Sequence, residues 1–133
     1  MIKQIFDVED YWRVIVYYNV DYDLFYIVEK DLEDSGISKH NLEALYWMMY
    51  SGRAKAVTFS NERIHTSVVV FNVHESNADY INSIVHEAEH IKQAMLRAYQ
   101  VEDEGEPPAY TIGYLISQMY LVFQQLICDC RDS

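Results

Sequence analysis

The residues best suited to chemistry lie at positions 86 to 90, where the sequence reads His-Glu-Ala-Glu-His. On an α-helix, residues four positions apart are separated by about 40° around the axis, so His86 and His90 would project from one face. Two imidazoles in that arrangement can bind a single Zn²⁺ at about 2.0–2.1 Å. Glu87 lies beside them and can reach a metal-bound water, as in zinc hydrolases. We therefore predict that His86 and His90 bind Zn²⁺ and that Glu87 is catalytic.

The surrounding residues have the pattern that this chemistry requires. Between Asn77 and Tyr99, apolar residues recur at intervals of three and four, which is typical of an amphipathic helix opened by Asn77 or Asp79. An acidic segment at 102–108 interrupts the pattern. Because proline is compatible with the first turn of a helix, the sequence predicts another helix from Pro107 to about Cys128.

The elements that precede this helix alternate in type. Aromatic and β-branched residues at 11–18 predict a strand, and the periods that follow predict a helix over 24–32 and a second helix that begins at Ser38 and ends at Gly52. Apolar runs at 56–59 and 66–71 flank a polar turn and predict a β-hairpin. The order strand, helix, helix, hairpin, long helix, helix indicates one α+β domain over residues 1–133.

Composition excludes several classes of function. The net charge is −11 and only ten residues are Lys or Arg, so a nucleic-acid partner is not expected. The chain has neither a signal-peptide pattern at its start nor an apolar run long enough to span a membrane. Cys128 and Cys130 are too close together to staple the fold, so we expect a reduced cytoplasmic protein in which these cysteines have no role.

Residues Thr66 to Leu121 resemble a gluzincin-like zinc metallopeptidase, similar in outline to the ImmA/IrrE-type group and to small metallopeptidase-like proteins of phages and mobile elements. The resemblance implies a minimal zincin-like domain, in which a small antiparallel or mixed sheet packs on the HExxH helix and the helix that follows it. It further implies that the strand Val68–Phe71 is a sheet edge that pairs with a substrate peptide. It also implies a third zinc ligand on the later helix, for which Glu106 is the first choice and Glu102 and Glu104 are alternatives.

The resemblance also suggests a role for a tyrosine. If Glu106 binds zinc, the phenol of Tyr110, or alternatively that of Tyr114, would face the metal and stabilise an oxyanion. His74 follows the hairpin and is interpreted as a surface histidine.

Two functions remain open at this stage. The first is a zinc-dependent metallopeptidase that hydrolyses an amide bond with zinc-activated water. Glu89 and Lys92 depart from the stricter metallopeptidase pattern, and they motivate the alternative of a non-catalytic protein-binding module on a metallopeptidase-like scaffold. Either way, the expected partner is a peptide or protein, and the many aromatic residues are compatible with a homodimer.

Overall fold

The computed structural model describes residues 1–131, with side chains described as far as residue 126. The chain forms β1 (Ile2–Val8), β2 (Trp12–Tyr18), a 3-10 turn (Tyr22–Leu24), α1 (Phe25–Asp34), α2 (Lys39–Tyr50), β3 (Ala56–Asn61), β4 (Thr66–Phe71), α3 (Asn77–Tyr99) and α4 (Glu106–Arg131). The predicted α+β class is confirmed, and so is the predicted order of the later elements. β1 was not predicted.

The four strands form one mixed sheet in the order β1-β2-β4-β3. β1 and β2 pair in antiparallel fashion, as do β3 and β4, whereas β2 and β4 are parallel. The turn between β1 and β2 contains Glu9 and Asp10, both with positive φ. Such turns usually carry Asn or Gly, and the absence of both residues explains why this hairpin could not be predicted.

The prediction that Val68–Phe71 is a sheet edge is wrong. These residues belong to β4, which lies between β2 and β3, and each of them is fully buried. A continuous apolar run is the pattern expected of a strand with both faces covered, since a half-exposed edge would alternate apolar and polar residues. The free edge beside α3 is β3.

Helices cover both faces of the sheet. On one face, α3 and α4 bury Ile84, Ala88, Ile91, Leu115, Met119 and Phe123 against Val14, Val16, Val69 and Phe71. On the other face, α1 and α2 bury Phe25, Val28, Leu32 and Met49 against Ile15, Tyr17, Val68 and Val70. The predicted packing of the sheet on α3 and α4 thus describes one half of a three-layer arrangement.

The ends of the helices follow local side-chain chemistry. The Ser38 side chain accepts a hydrogen bond from the backbone N–H of Asn41 and caps α2. α3 is capped in the same way by Ser76, which immediately precedes the helix and whose side chain accepts a hydrogen bond from the backbone N–H of Asp79. None of the helices within the described part of the chain is long and apolar enough to cross a membrane.

Candidate metal centre

α3 lies alongside the edge strand β3, and three side-chain contacts connect α3 to this strand and to the residues that flank it. Lys55 Nζ lies 3.1 Å from Asp79 Oδ2, Thr58 Oγ1 lies 2.9 Å from Glu87 Oε1, and Arg97 Nε lies 2.8 Å from Glu62 Oε1. The partners occur in the same order along both elements, so strand and helix run in the same direction. The central contact fixes the HExxH turn of α3 against the middle of β3.

The structure brings His86 and His90 together on the exposed side of α3. Their Nε2 atoms are 3.1 Å apart. Two nitrogens bound to one tetrahedral Zn²⁺ at about 2.0–2.1 Å would be separated by about 3.3–3.4 Å. The imidazole pair therefore fits a shared zinc ion after a movement of a few tenths of an ångström, within the freedom of exposed side chains.

Glu87 is buried, whereas the two histidines beside it are exposed. Its side chain is only 3% exposed, and it accepts the hydrogen bond from Thr58. Burial raises the pKa of Glu87, although the hydrogen bond from Thr58 and the nearby charges of His86 and His90 act in the opposite direction. This carboxylate accordingly binds a proton more readily than a carboxylate in water.

A cavity of about 700 Å³ opens beside the HExxH turn. His86, Glu87 and His90 of α3 line it, together with Thr58 of β3. The volume lies within the range typical of small-molecule and substrate sites. The arrangement places two potential metal ligands and a buried acid on one accessible space.

The structure does not bring Glu106 or Tyr110 to the histidine pair. Both line a separate cavity of about 380 Å³, together with Met95. Met95 lies five residues after His90 and is therefore about 140° away around the helix. The start of α4 packs beside that different face of α3, so the third-ligand and catalytic roles of Glu106 and Tyr110 stay predictions without support from proximity.

The other acidic candidates do not complete a cluster either. Glu102 and Glu104 are exposed in the segment between α3 and α4. Among the side chains that the structure describes, no group of three or more His, Cys, Asp or Glu residues is arranged to hold a metal ion. The residues gathered at the candidate metal centre are therefore His86, His90 and Glu87.

The two departures from the metallopeptidase pattern have a shared structural role. Lys92 is 7% exposed, and its ammonium group lies 2.8 Å from Glu89 and 3.0 Å from Asp103. Glu89 is thus paired with a neighbouring lysine on the same helix. The same lysine attaches the segment after α3 to the helix.

His74 and Ser83 form a pair that sequence reasoning missed. The ring of His74 is half-buried, stacks on Tyr80 with centroids 4.2 Å apart, and has Nε2 2.7 Å from Ser83 Oγ. Ser83 lines the same cavity as the histidine pair. Its position one turn before His86 offered a hint, but the approach of His74 depends on how the loop after β4 folds back.

The chain matches no protein-family model, and neither the curated proteins nor the solved structures contain a match to it. The side chains of Cys128 and Cys130, for which no role was predicted, lie outside the described residues.

Proposed function

We propose that the protein is a zinc-dependent amide hydrolase that acts on a peptide, with His86 and His90 as metal ligands. The observation that carries this proposal is the 3.1 Å separation of the two Nε2 atoms at the wall of a substrate-sized cavity. A Zn²⁺ ion bound there would polarise a carbonyl group and acidify a bound water. The residue that completes the site is predicted from the sequence to be Glu106, Glu102 or Glu104.

Glu87 is the proposed proton carrier. It follows His86 directly and lines the cavity, while the hydrogen bond from Thr58 holds its carboxylate in one position. In that position it takes a proton from the attacking water and delivers it to the leaving amine. Thr58 positions the acid and has no part in the proton transfer.

The free edge of β3 supports a peptide as the substrate. Ala56 and Thr58 of this strand line the cavity, and β3 pairs with β4 on its other side. A peptide that adds to an exposed edge gains main-chain hydrogen bonds that do not depend on its sequence. The six residues of β3 span about 20 Å, which is enough to align a short extended segment beside the histidine pair.

A protein-binding module is the second candidate. It is favoured by the same free edge of β3, together with the placement of Glu106 away from the histidines. In this case a peptide would bind beside α3 without being cleaved. The expected cytoplasmic location and the homodimer are compatible with both candidates.

Incubation of the zinc-loaded protein with a mixture of synthetic peptides, followed by mass spectrometry, tests the proposal. We expect cleavage by the wild type and its loss in Glu87→Gln, which retains zinc because the substituted residue is not a ligand. The matched control is His40→Ala, which removes an exposed histidine from α2 and leaves cleavage unchanged. Peptide binding without cleavage by the zinc-loaded wild type would favour the binding module.

A further inference from the structure

The tautomer of His74 is determined by its two hydrogen-bond partners. Nδ1 lies 2.7 Å from the backbone carbonyl oxygen of Asn72, which can only accept, so Nδ1 carries the hydrogen in that bond. In a neutral ring Nε2 is then an acceptor, and the hydroxyl group of Ser83, 2.7 Å away, donates to it. A serine hydroxyl that donates to a neutral imidazole is the arrangement of an activated nucleophile.

The surroundings hold this ring in place. The backbone N–H of Asn72 donates to the carbonyl of Lys55 at 2.9 Å, and the side-chain amide of Asn72 donates to the carbonyl of Ala54 at 3.2 Å. The carbonyl that orients His74 is therefore attached to the start of β3, and Tyr80 supports the ring through stacking. A base positioned by its packing loses little freedom when it accepts a proton.

Burial lowers the pKa of His74, and the positive charge of Lys55 contributes in the same direction, although the hydrogen bond to Asn72 and the charge of Asp79 oppose the shift. The ring is consequently neutral near pH 7 and available as a base. Ser83, in turn, is partly exposed on the cavity wall, where a ligand can reach its hydroxyl group.

We propose that Ser83 is a nucleophile with His74 as its general base, and that this pair accepts activated carboxylic esters in the same cavity. Ser83 Oγ forms a bond to the acyl carbon while His74 Nε2 takes the hydroxyl proton. The bond from the acyl carbon to the leaving oxygen then breaks, and the proton passes to that oxygen. Water hydrolyses the acyl-serine by the reverse proton path, which returns Ser83 and His74 to their starting state.

Esters are the expected class because the assistance to His74 is modest. A neutral backbone carbonyl orients the ring but stabilises an imidazolium less than a carboxylate would. Lys55, whose ammonium group is paired with Asp79, also lines the cavity and places a positive charge near a developing negative charge. These groups suit substrates with good leaving groups, and the chemistry requires no metal ion.

The test is the reaction of metal-free protein with a fluorophosphonate, which forms an Oγ–P bond and releases fluoride. We expect one adduct on Ser83 by peptide mapping, with EDTA present throughout so that the result does not depend on the zinc proposal. His74→Phe preserves stacking on Tyr80 and removes the base, so it should slow labelling by about 10²–10⁴-fold. The control Ser117→Ala removes an exposed serine of α4 and should leave labelling unchanged.

A second readout protects the test against misfolding of the His74 variant. Labelling of the wild type should increase with pH through a midpoint below 6.5, the ordinary value for histidine. Among the residues that the structure describes, the other ionisable groups facing His74 are Lys55, Asp79 and Tyr80. Absence of an adduct on Ser83, equal labelling of a folded His74→Phe variant, or a flat pH profile would overturn the proposal.

Discussion

Substitution of Thr58 by valine tests the contact that positions Glu87. Valine has the shape of threonine but cannot donate to the carboxylate, which would remain buried at 3% exposure. A hydrogen bond to a charged group contributes about 1.5–3 kcal/mol. For a domain of this length, each kcal/mol corresponds to about 3–5 °C. Thr58→Val should therefore lower the melting temperature by about 5–15 °C at pH 7–8.

A double-mutant cycle with Glu87→Gln isolates this contact. In the glutamine background the hydrogen bond is between neutral groups and contributes about 0.5–1.5 kcal/mol, so a coupling energy of about 1 kcal/mol is expected from urea denaturation. The control is Thr66→Val, since the exposed hydroxyl group of Thr66 donates to the backbone carbonyl of Ile64, two residues away. An equal loss of stability from Thr58→Val in both backgrounds would refute the account of how Glu87 is held.

Two further predictions concern the stability of the fold. Gly36 has φ +93°, and a Cβ there would lie 2.8 Å from the Asn61 side-chain nitrogen, whereas Gly52 has φ +76° and a Cβ there would meet no atom within 4 Å. Gly52→Ala should reduce the free energy of unfolding by about 1–2 kcal/mol because of its backbone conformation, and Gly36→Ala should reduce it by more. Equal losses in urea denaturation would contradict this prediction. Burial of Asp31 opposes ionisation, but hydrogen bonds, including one from Tyr17, outweigh it and lower the pKa of Asp31. Its contribution to stability is thus present above the unfolded-state pKa of about 3.9 and is lost as the pH falls through the lower folded-state pKa. The difference in melting temperature between wild type and Asp31→Asn should accordingly be largest near pH 7 and shrink below pH 4, and a constant difference would contradict the assignment.

The sequence predicted α3 well because its helical period is set by residues that all contact the same core. Ile84, Ala88 and Ile91 are buried at the spacing that the pattern indicates. Local spacing also suffices to place His86 and His90 on one face of that helix. Features encoded within a few turns of one element are therefore readable without tertiary information.

Features that depend on which helices and strands become neighbours could not be predicted from the sequence. The run Val68–Phe71 indicates burial, but only the pairing of β4 with both β2 and β3 shows that it is not an edge. Likewise, the segment after α3 carries several acids, and nothing in their spacing shows that Glu106 packs beside Met95. The contact of His74 with Ser83 has the same origin, because it depends on the fold of a loop.

Zinc binding measured by elemental analysis and by thermal denaturation tests the central claim most directly. The wild type should hold about one zinc per chain, and free zinc at 100 times its dissociation constant should stabilise the fold by about 2.7 kcal/mol. His86→Ala and His90→Ala should each lose this stabilisation, whereas His40→Ala should keep it. Absence of zinc from the wild type would contradict the account, and so would zinc binding by the His86→Ala and His90→Ala variants that equals that of the wild type.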